Sequence, residues 1–481
     1  MTKQEAVIRY IQDNYLQFNR LRHDVVSDKL QVRTPSNSPE TPSNSPFRGG
    51  GLTSGGGGGT EHWRELTKHD VNSIVCHCAQ EYDANITSRE VMTALQSDLV
   101  PDVHPLREYI NALPRYTPDQ PDWIDFVAQQ VRVRESSADR PKGLSERTAC
   151  CQTTMLLDRP YGAERPTNLT GEADLTISEA HGLTSNSSQR ERSKADRLWR
   201  TCFKKWFVAM VASWMKDEVV NHQVLVLIGK QGIFKTTWLE HLIPPHLRAY
   251  ACKLANSNDL NKDERLRIAE FGLISLDEID SMNNRELNQL KSIITASDVN
   301  ERAAYAYTKE RRVRLASFCA SGNRREFLTD ITGNRRWLPF EVESIQNPFY
   351  TTLPYEYMYA QALWLINHEL NYWFDLDEIE VLEVHNQHFR DESNEEQLLP
   401  ILFDVPAEGR GEFMTTAQIS ERLVSYGNIK KPMALSRLGV VLSSSGYRSV
   451  QRQIGGHRGR GWIVYQRDTE EIASIKRLLA K

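Results

Sequence analysis

The stretch Val224–Thr237, VLVLIGKQGIFKTT, constrains this chain more than any other. Five apolar residues, Val224 to Ile228, predict a buried strand. A turn with Gly229 and Gly232 follows, then Phe234, Lys235, Thr236 and Thr237, and Trp238 and Leu239 open a helix. Strand, glycine loop, Lys-Thr and helix make the layout of a phosphate-binding P-loop. The chemistry needs those residue types. Backbone N–H groups at a helix start point at phosphate oxygens, and the helix dipole favours negative charge there. Lys235 would reach the β- and γ-phosphates and the Thr236 hydroxyl would hold Mg²⁺, so ATP with Mg²⁺ is the expected ligand pair. One position departs from the pattern. Phe234 stands where such loops have their last glycine, and its φ/ψ must suit a residue with a Cβ. A strand–turn–helix with an incidental Lys-Thr would read the same locally.

Three later segments supply the rest of a nucleotide site. Phe271–Glu278, FGLISLDE, is an apolar run ending in two carboxylates, the form of a Walker B strand. Asp277 would hold Mg²⁺ through water, and Glu278 would orient and polarise the attacking water. Asp280 stands one turn too far to share that task. Arg312–Asn323, RVRLASFCASGN, reads as a third strand ending at Asn323, a candidate γ-phosphate sensor of the kind found in ring-forming ATPases. Thr332–Phe340, TGNRRWLPF, sets Arg335 and Arg336 on a turn, where a guanidinium aimed at a neighbouring subunit would stabilise transition-state charge. Arg302–Arg314, RAAYAYTKERRVR, reads as a β-hairpin with a cationic tip bearing tyrosines. There Tyr305, Tyr307, Lys309, Arg311 and Arg312 would grip a nucleic-acid backbone and stack bases. Acidic turns, surface arginines and a solvated hairpin are the plainer readings of the same residues.

Composition limits where else function can lie. The chain has 481 residues, enough for two or three domains. Its net charge of −4 announces no nucleic acid overall, so any such signal must be local. No apolar run approaches the roughly 20 residues that span a bilayer, and the N-terminus lacks the apolar core of a signal peptide. A cytoplasmic protein with no membrane partner is expected. The seven cysteines fit reduced thiols, and Cys76-His77-Cys78 lacks a second pair at ligand spacing.

The chain divides into an N-terminal segment, 1–33, and a Pro-, Ser- and Gly-rich disordered linker, 34–60, holding the repeat TPSNSPE/TPSNSPF. A small helical domain, 61–134, and a polar disordered insertion, 135–196, follow. The P-loop ATPase core, 197–345, opens with an amphipathic helix in which Trp199, Phe203, Trp206, Phe207, Met210, Val211 and Trp214 recur at helical spacing. Core packing is the expected role of those aromatics. A helical lid or connector, 346–405, leads to a winged-helix module, 411–470. There Thr416 would cap one helix and Pro432 start another, before two strands near Tyr447–Gln451 and Trp462–Gln466. IGGHRGRG between those strands carries His457, Arg458 and Arg460 at a wing tip. From Gly411 to Lys481 there are 12 Lys and Arg against 5 Asp and Glu, a net +7, which suits duplex DNA, although winged helices also dock proteins.

Together, GKQGIFKTT, LISLDEID, NERAAYAYTKERR, CASGN and TGNRRWLPFEVE resemble the virulence-associated E family. Its members are ATPases of phages, plasmids and integrated elements with a superfamily 3 helicase-like AAA+ core. HPLREYINALP resembles the segment preceding that core, and the C-terminal module resembles the winged domain of Bacteroidetes-type members. The resemblance implies an α/β P-loop NTPase core. It also implies Lys235 and Thr236 in Walker A, Asp277 and Glu278 in Walker B, Asn323 as sensor, and Arg335 or Arg336 as finger. No primase motif is present. The expected function is an ATP-dependent DNA helicase or translocase acting in replication. It would work as a homo-oligomeric ring, hexameric by expectation, with single-stranded DNA in the pore and a separate primase as a candidate partner. The alternatives are a DNA-binding adaptor or regulator whose ATPase core is degenerate, which Phe234 favours, and a phosphotransferase on the same loop.

Overall fold

The structure, a computed structural model, describes residues 2–34, 62–82, 85–134, 194–254, 262–301, 310–329, 334–368, 370–406, 411–454 and 457–479. The linker expected at 34–60 and the insertion expected at 135–196 lie almost wholly outside them, as do Tyr305, Tyr307 and Lys309. The chain forms two units: residues 1–323 with 338–378, and residues 324–337 with 379–481.

The first unit begins with a four-stranded sheet of β1 (Leu21–Asp24), β2 (Lys29–Thr34), β3 (His62–Glu65) and β4 (Asp102–Val103), in the order β3-β2-β1-β4. Helices Lys3–Ile11, Lys68–Tyr82 and Ser88–Leu95 bury Val7, Ile11, Leu21, Ile74, Val91 and Leu95 in one core. The N-terminal segment and the start of the expected helical domain are therefore one folded body, joined by the pairing of β2 with β3. Thr87 caps the helix Ser88–Leu95 and forms a capping box with Glu90.

A mixed six-stranded sheet follows. It contains β5 (Val131–Val133), β6 (Val224–Ile228), β7 (Ala251–Leu254) and β8 (Leu273–Leu276). A separate antiparallel pair, β9 (Asp298–Glu301) and β10 (Glu310–Val313), precedes its last strands, β11 (Ser317–Gly322) and β12 (Trp337–Ile345). The order is β5-β12-β6-β11-β8-β7. β11 runs parallel to β6 and β8, and β7 runs parallel to β8. Register brings Ile228 beside Gly322 and Leu276 beside Ala320, so β6, β8 and β11 end together. In parallel sheets of this kind ligands bind at those C-terminal ends. The 22-residue helix Lys194–Met215 lies against the sheet with its tryptophans as core. The indole N–H groups of Trp199, Trp206 and Trp214 donate to the carbonyls of Ala128, Phe318 and Gly272 at 2.9, 3.1 and 3.1 Å.

The segment read as one strand from Arg312 to Asn323 is two. Arg314, only 1% exposed, interrupts it. Its guanidinium donates to the carbonyls of Ile293, Ile294 and Ala296 at the end of the helix Asn284–Thr295, and to those of Asn221 and Ala316. A cation at a helix C-terminus complements its dipole, and the chain must leave the β9–β10 pair before β11 begins.

The second unit has a core of Leu399, Leu402, Ile419, Leu423, Leu438, Leu442, Trp462 and Val464. Helices Thr416–Gly427 and Leu435–Ser444 precede β15 (Arg448–Ile454) and β16 (His457–Gln466). β13 (Phe403–Asp404) and β14 (Glu412–Thr415) pair with β16. The first helix is capped by Thr415, in a capping box with Gln418, and the second starts at Leu435, three residues after Pro432. Among the described residues no helix is long and apolar enough to cross a membrane.

Candidate functional site

β6 ends at Ile228, and the chain turns through Gly229–Phe234 into the helix Lys235–His241. Gly229 is required by close approach, because a Cβ there would stand 2.7 Å from the Val342 carbonyl oxygen. Gly232 has φ +84, a region that L side chains rarely adopt. Phe234 has φ 68 and ψ 19, so the non-glycine residue sits in the left-handed conformation just ahead of the helix. Its ring meets Phe349 edge-on, with centroids 6.3 Å apart.

Lys235 is 7% exposed. Its ammonium donates to the carbonyls of Gly229 (2.8 Å) and Lys230 (2.7 Å) and to Asn323 Oδ1 (3.3 Å). Burial lowers its pKa, and the nearby carboxylates of Asp280 and Asp277 oppose that shift. Asp277, just past β8, accepts from the Ser321 hydroxyl (2.7 Å) and from the Thr236 hydroxyl (3.2 Å), and the two hydroxyls are 2.8 Å apart. Its other oxygen receives the Lys253 ammonium at 2.7 Å. Burial would raise the Asp277 pKa, but these partners, Lys253 first, hold it below its ordinary value. Glu278 follows with φ 53, starting a short turn that swings Asp280 back toward β11. Asp280, judged too distant from its sequence position, accepts from the Asn323 N–H at 3.2 Å. Lys235, Thr236 and Ser321 line a cleft of about 300 Å³ with Gln231, Phe234, Thr237, Asp277, Glu278 and Asn323.

The cleft therefore gathers Gly232, Phe234, Lys235, Thr236, Thr237, Asp277, Glu278 and Asn323. Two residues carried no such expectation: Ser321, which lines the cleft, and Lys253, which pairs with Asp277. Ser321 could have been found, since residues two apart on a strand share a face and it precedes Asn323 by two. Lys253 lies on β7, paired with β8 only through the crossover, and nothing local marks it.

The other candidates are not among the residues that line the cleft. Arg311 pairs with Asp298 at 2.5 Å. Arg312 pairs with Asp28 at 2.6 Å and Glu270 at 3.8 Å. In the second unit, Arg335 and Arg336 lie on the 3₁₀ turn Asn334–Arg336, which leads into β12. Buried Asn386 braces this turn, its amide donating to the carbonyls of Asn334 and Trp337 at 2.8 and 3.0 Å. Arg460 donates to Ser449 Oγ at 2.7 Å and stands over the Trp462 ring. His457 and Arg458 pair with Ile454 and Gln453 at the start of β16.

No curated protein matches the chain. Among solved structures, the apo NrS-1 C-terminal region covers 96% of this chain and 99% of its own, at 11% identity and TM-score 0.41. A second structure of that region covers 95% and 99%, at 10% identity and TM-score 0.37. Likeness at that level carries no further argument. The family model described as virulence-associated protein E-like domain matches residues 183–391. That interval contains every cleft residue, and over it the chain is similar to the virulence-associated protein E-like domain, as the motifs suggest.

Proposed function

We propose that this chain is an ATP-driven DNA translocase or helicase of a phage, plasmid or integrated element, working in DNA replication. One observation carries the reading: Lys235, Thr236, Asp277, Ser321 and Asn323 converge on one cleft where parallel strands end. The residues fit a triphosphate with its cation. The Lys235 ammonium has neutral oxygens for hydrogen-bond partners, so a phosphate can replace them without displacing a carboxylate. Thr236, Ser321 and Asp277 are hard oxygen donors, the class Mg²⁺ selects. Among the described residues no three His, Cys, Asp or Glu side chains converge on a metal position. That suits an ion held by one or two protein oxygens, substrate phosphates and water.

On this reading the loop N–H groups and Lys235 hold the phosphates, and Thr236 and Asp277 hold the ion, which neutralises phosphate charge when bound. Glu278 orients the attacking water and accepts its proton. Asn323 acts as sensor through its bond to Lys235. Arg335 or Arg336 reaches a neighbouring subunit's site, which requires a homo-oligomeric ring, proposed as a hexamer. The β9–β10 hairpin with Tyr305, Tyr307, Lys309, Arg311 and Arg312 contacts single-stranded DNA. Residues 411–470 act as a winged helix, with His457, Arg458 and Arg460 on duplex phosphates. A separate primase is a candidate partner.

The test is ATP hydrolysis with and without single-stranded DNA, beside a Lys235→Ala variant. Wild-type turnover stimulated by DNA and lost in the variant is the expected result, and equal turnover by both proteins ends the reading. A DNA-binding adaptor with a degenerate core is the second reading, favoured by the left-handed Phe234 in the loop. If Phe234→Gly creates turnover that the parent lacks, the adaptor is the better description.

A further inference from the structure

The cleft lining holds one aromatic ring that the phosphate chemistry does not use, Phe234, and that ring has an aromatic neighbour, Phe349. After β12 the chain turns through Asn347, Pro348, Phe349 and Tyr350. Phe349 is 59% exposed and Tyr350 88% exposed. A single exposed aromatic is unremarkable, but Phe349 is held in place. Its N–H donates to Asn347 Oδ1 at 3.0 Å, and the Tyr350 N–H donates to the Asn347 carbonyl at 3.1 Å. A side-chain turn closed over a backbone turn fixes the backbone that carries the ring, and the ring's contacts give its direction.

That direction is toward the phosphate loop. Phe349 meets Phe234 at 6.3 Å and His241 at 5.7 Å between centroids, with interplanar angles of 81° and 85°. Phe234, Thr237 and His241 are spaced three and four residues apart, so they share one face of the helix. Phe234 and Thr237 also line the cleft. Phe349 thus stands at the Thr237 end, while Lys235 and Asn323 mark the end for the terminal phosphates. His241 is fixed as well: its Nδ1 donates to the Thr237 carbonyl at 2.7 Å, and its own carbonyl accepts from the Tyr355 hydroxyl at 2.7 Å. The left-handed backbone at Phe234, which disfavours any residue with a Cβ, turns its ring against Phe349 rather than leaving the loop bare.

We propose that Phe349, backed by Phe234 and His241, is the stacking platform for the base of the bound nucleotide. The inference rests on the nucleotide reading of the cleft. A nucleotide with its terminal phosphates at Lys235 extends its nucleoside past Thr237, where the exposed part of the Phe349 ring supplies a flat apolar surface. Base–aromatic stacking needs only a π-face, and the rings behind Phe349 keep it from yielding.

The experiment measures binding of a non-hydrolysable ATP analogue and of inorganic tripolyphosphate, each with Mg²⁺, to the full chain and to Phe349→Ala, Phe349→Trp and Lys235→Ala. Tripolyphosphate has the charge and no base. The expected result is that Phe349→Ala weakens the ATP analogue by about tenfold, leaves tripolyphosphate unchanged, and is rescued by Phe349→Trp. Equal weakening of both ligands, or of neither, overturns the platform while Lys235→Ala still loses both. If Lys235→Ala binds both ligands as the wild type does, the phosphate site itself is wrong, and the platform falls with it. Because Phe349 is exposed, its variants test binding without threatening the fold.

Discussion

Lys235 and Arg312 are both cations that the sequence marks for phosphate, and they live in opposite surroundings. Lys235 is buried and donates to two carbonyls and an amide oxygen. Arg312 stands between two carboxylates, Asp28 and Glu270, one of them in the β1–β2 turn nearly three hundred residues away in sequence. The first cation has lost water and bonds directly to no carboxylate, so burial lowers its pKa by more than the nearby Asp280 and Asp277 raise it. The second already has counter-charges that a nucleic acid would have to displace. Charge in the sequence names both as candidates, and only the partners distinguish a cation poised for an anion from one spent on the fold.

The contrast breaks most directly at Lys235. Lys235→Ala is expected to cut ATP hydrolysis by at least about a hundredfold, the scale for removing one donor aimed at developing charge. The same variant should melt no lower than the wild type, because no carboxylate is left unpaired when the ammonium goes. A calorimetric scan beside the rate assay checks both halves. A variant that hydrolyses normally, or that unfolds early, would make Lys235 a structural cation like Arg312.

The next effect concerns the counter-charge inside the cleft. Lys253 occupies one oxygen of Asp277 at 2.7 Å, and a divalent ion must compete with it for that carboxylate. Lys253→Met should lower the Mg²⁺ concentration giving half-maximal nucleotide binding by several-fold, while Asp277→Asn should abolish the Mg²⁺ dependence. Mg²⁺ titration of nucleotide binding reads both. An unchanged titration in Lys253→Met would mean that the ion leaves the Asp277–Lys253 pair intact.

Arg312 offers the mirror image. Arg312→Ala and Asp28→Asn, the latter suiting the left-handed backbone at Asp28 (φ 56), should each cost about 1 kcal/mol of stability or less, and the double variant less than their sum, since both weaken one partly exposed pair. Should the hairpin also bind DNA, Asp28→Asn will tighten single-stranded DNA binding by removing one of the two carboxylates beside the guanidinium, and the gain will shrink as salt rises. Simple additivity in the melting cycle would mean that the pair contributes nothing.

What could be read from the chain beforehand follows the same division. β6 and β8 are five- and four-residue runs buried throughout, and each hands on directly to polar residues at its end. Strand, loop and acid pair were therefore legible from hydropathy alone. Arg314 was not, because a guanidinium sealed under a helix end looks in sequence like one more basic residue of a charged hairpin. β5 was not either: three residues carry no period, and their partner β12 lies some two hundred residues on. The bond from the Asn323 N–H to Asp280 was not legible either, because the left-handed φ of Glu278, which folds the chain back, has no signature in a residue that is not glycine. Local pattern locates elements, whereas the pairing of charges depends on which distant strands become neighbours.

The smallest expected effect tests whether Phe234 bears strain. A left-handed residue with a Cβ costs about 1–2 kcal/mol, which Phe234→Gly would recover. Against that gain, glycine loosens the unfolded chain by about 0.5–1 kcal/mol, and the edge-on contact with Phe349, worth about 0.5–1.5 kcal/mol, is lost. The terms nearly cancel, so Phe234→Gly should melt within a few degrees of the wild type. Phe234→Ala separates them, since it keeps the left-handed cost and loses the ring, and it should therefore be the least stable of the three. An alanine variant more stable than the glycine one would mean that the loop holds φ 68 without penalty. The ring's contact with Phe349 would then be all that the phenylalanine contributes there.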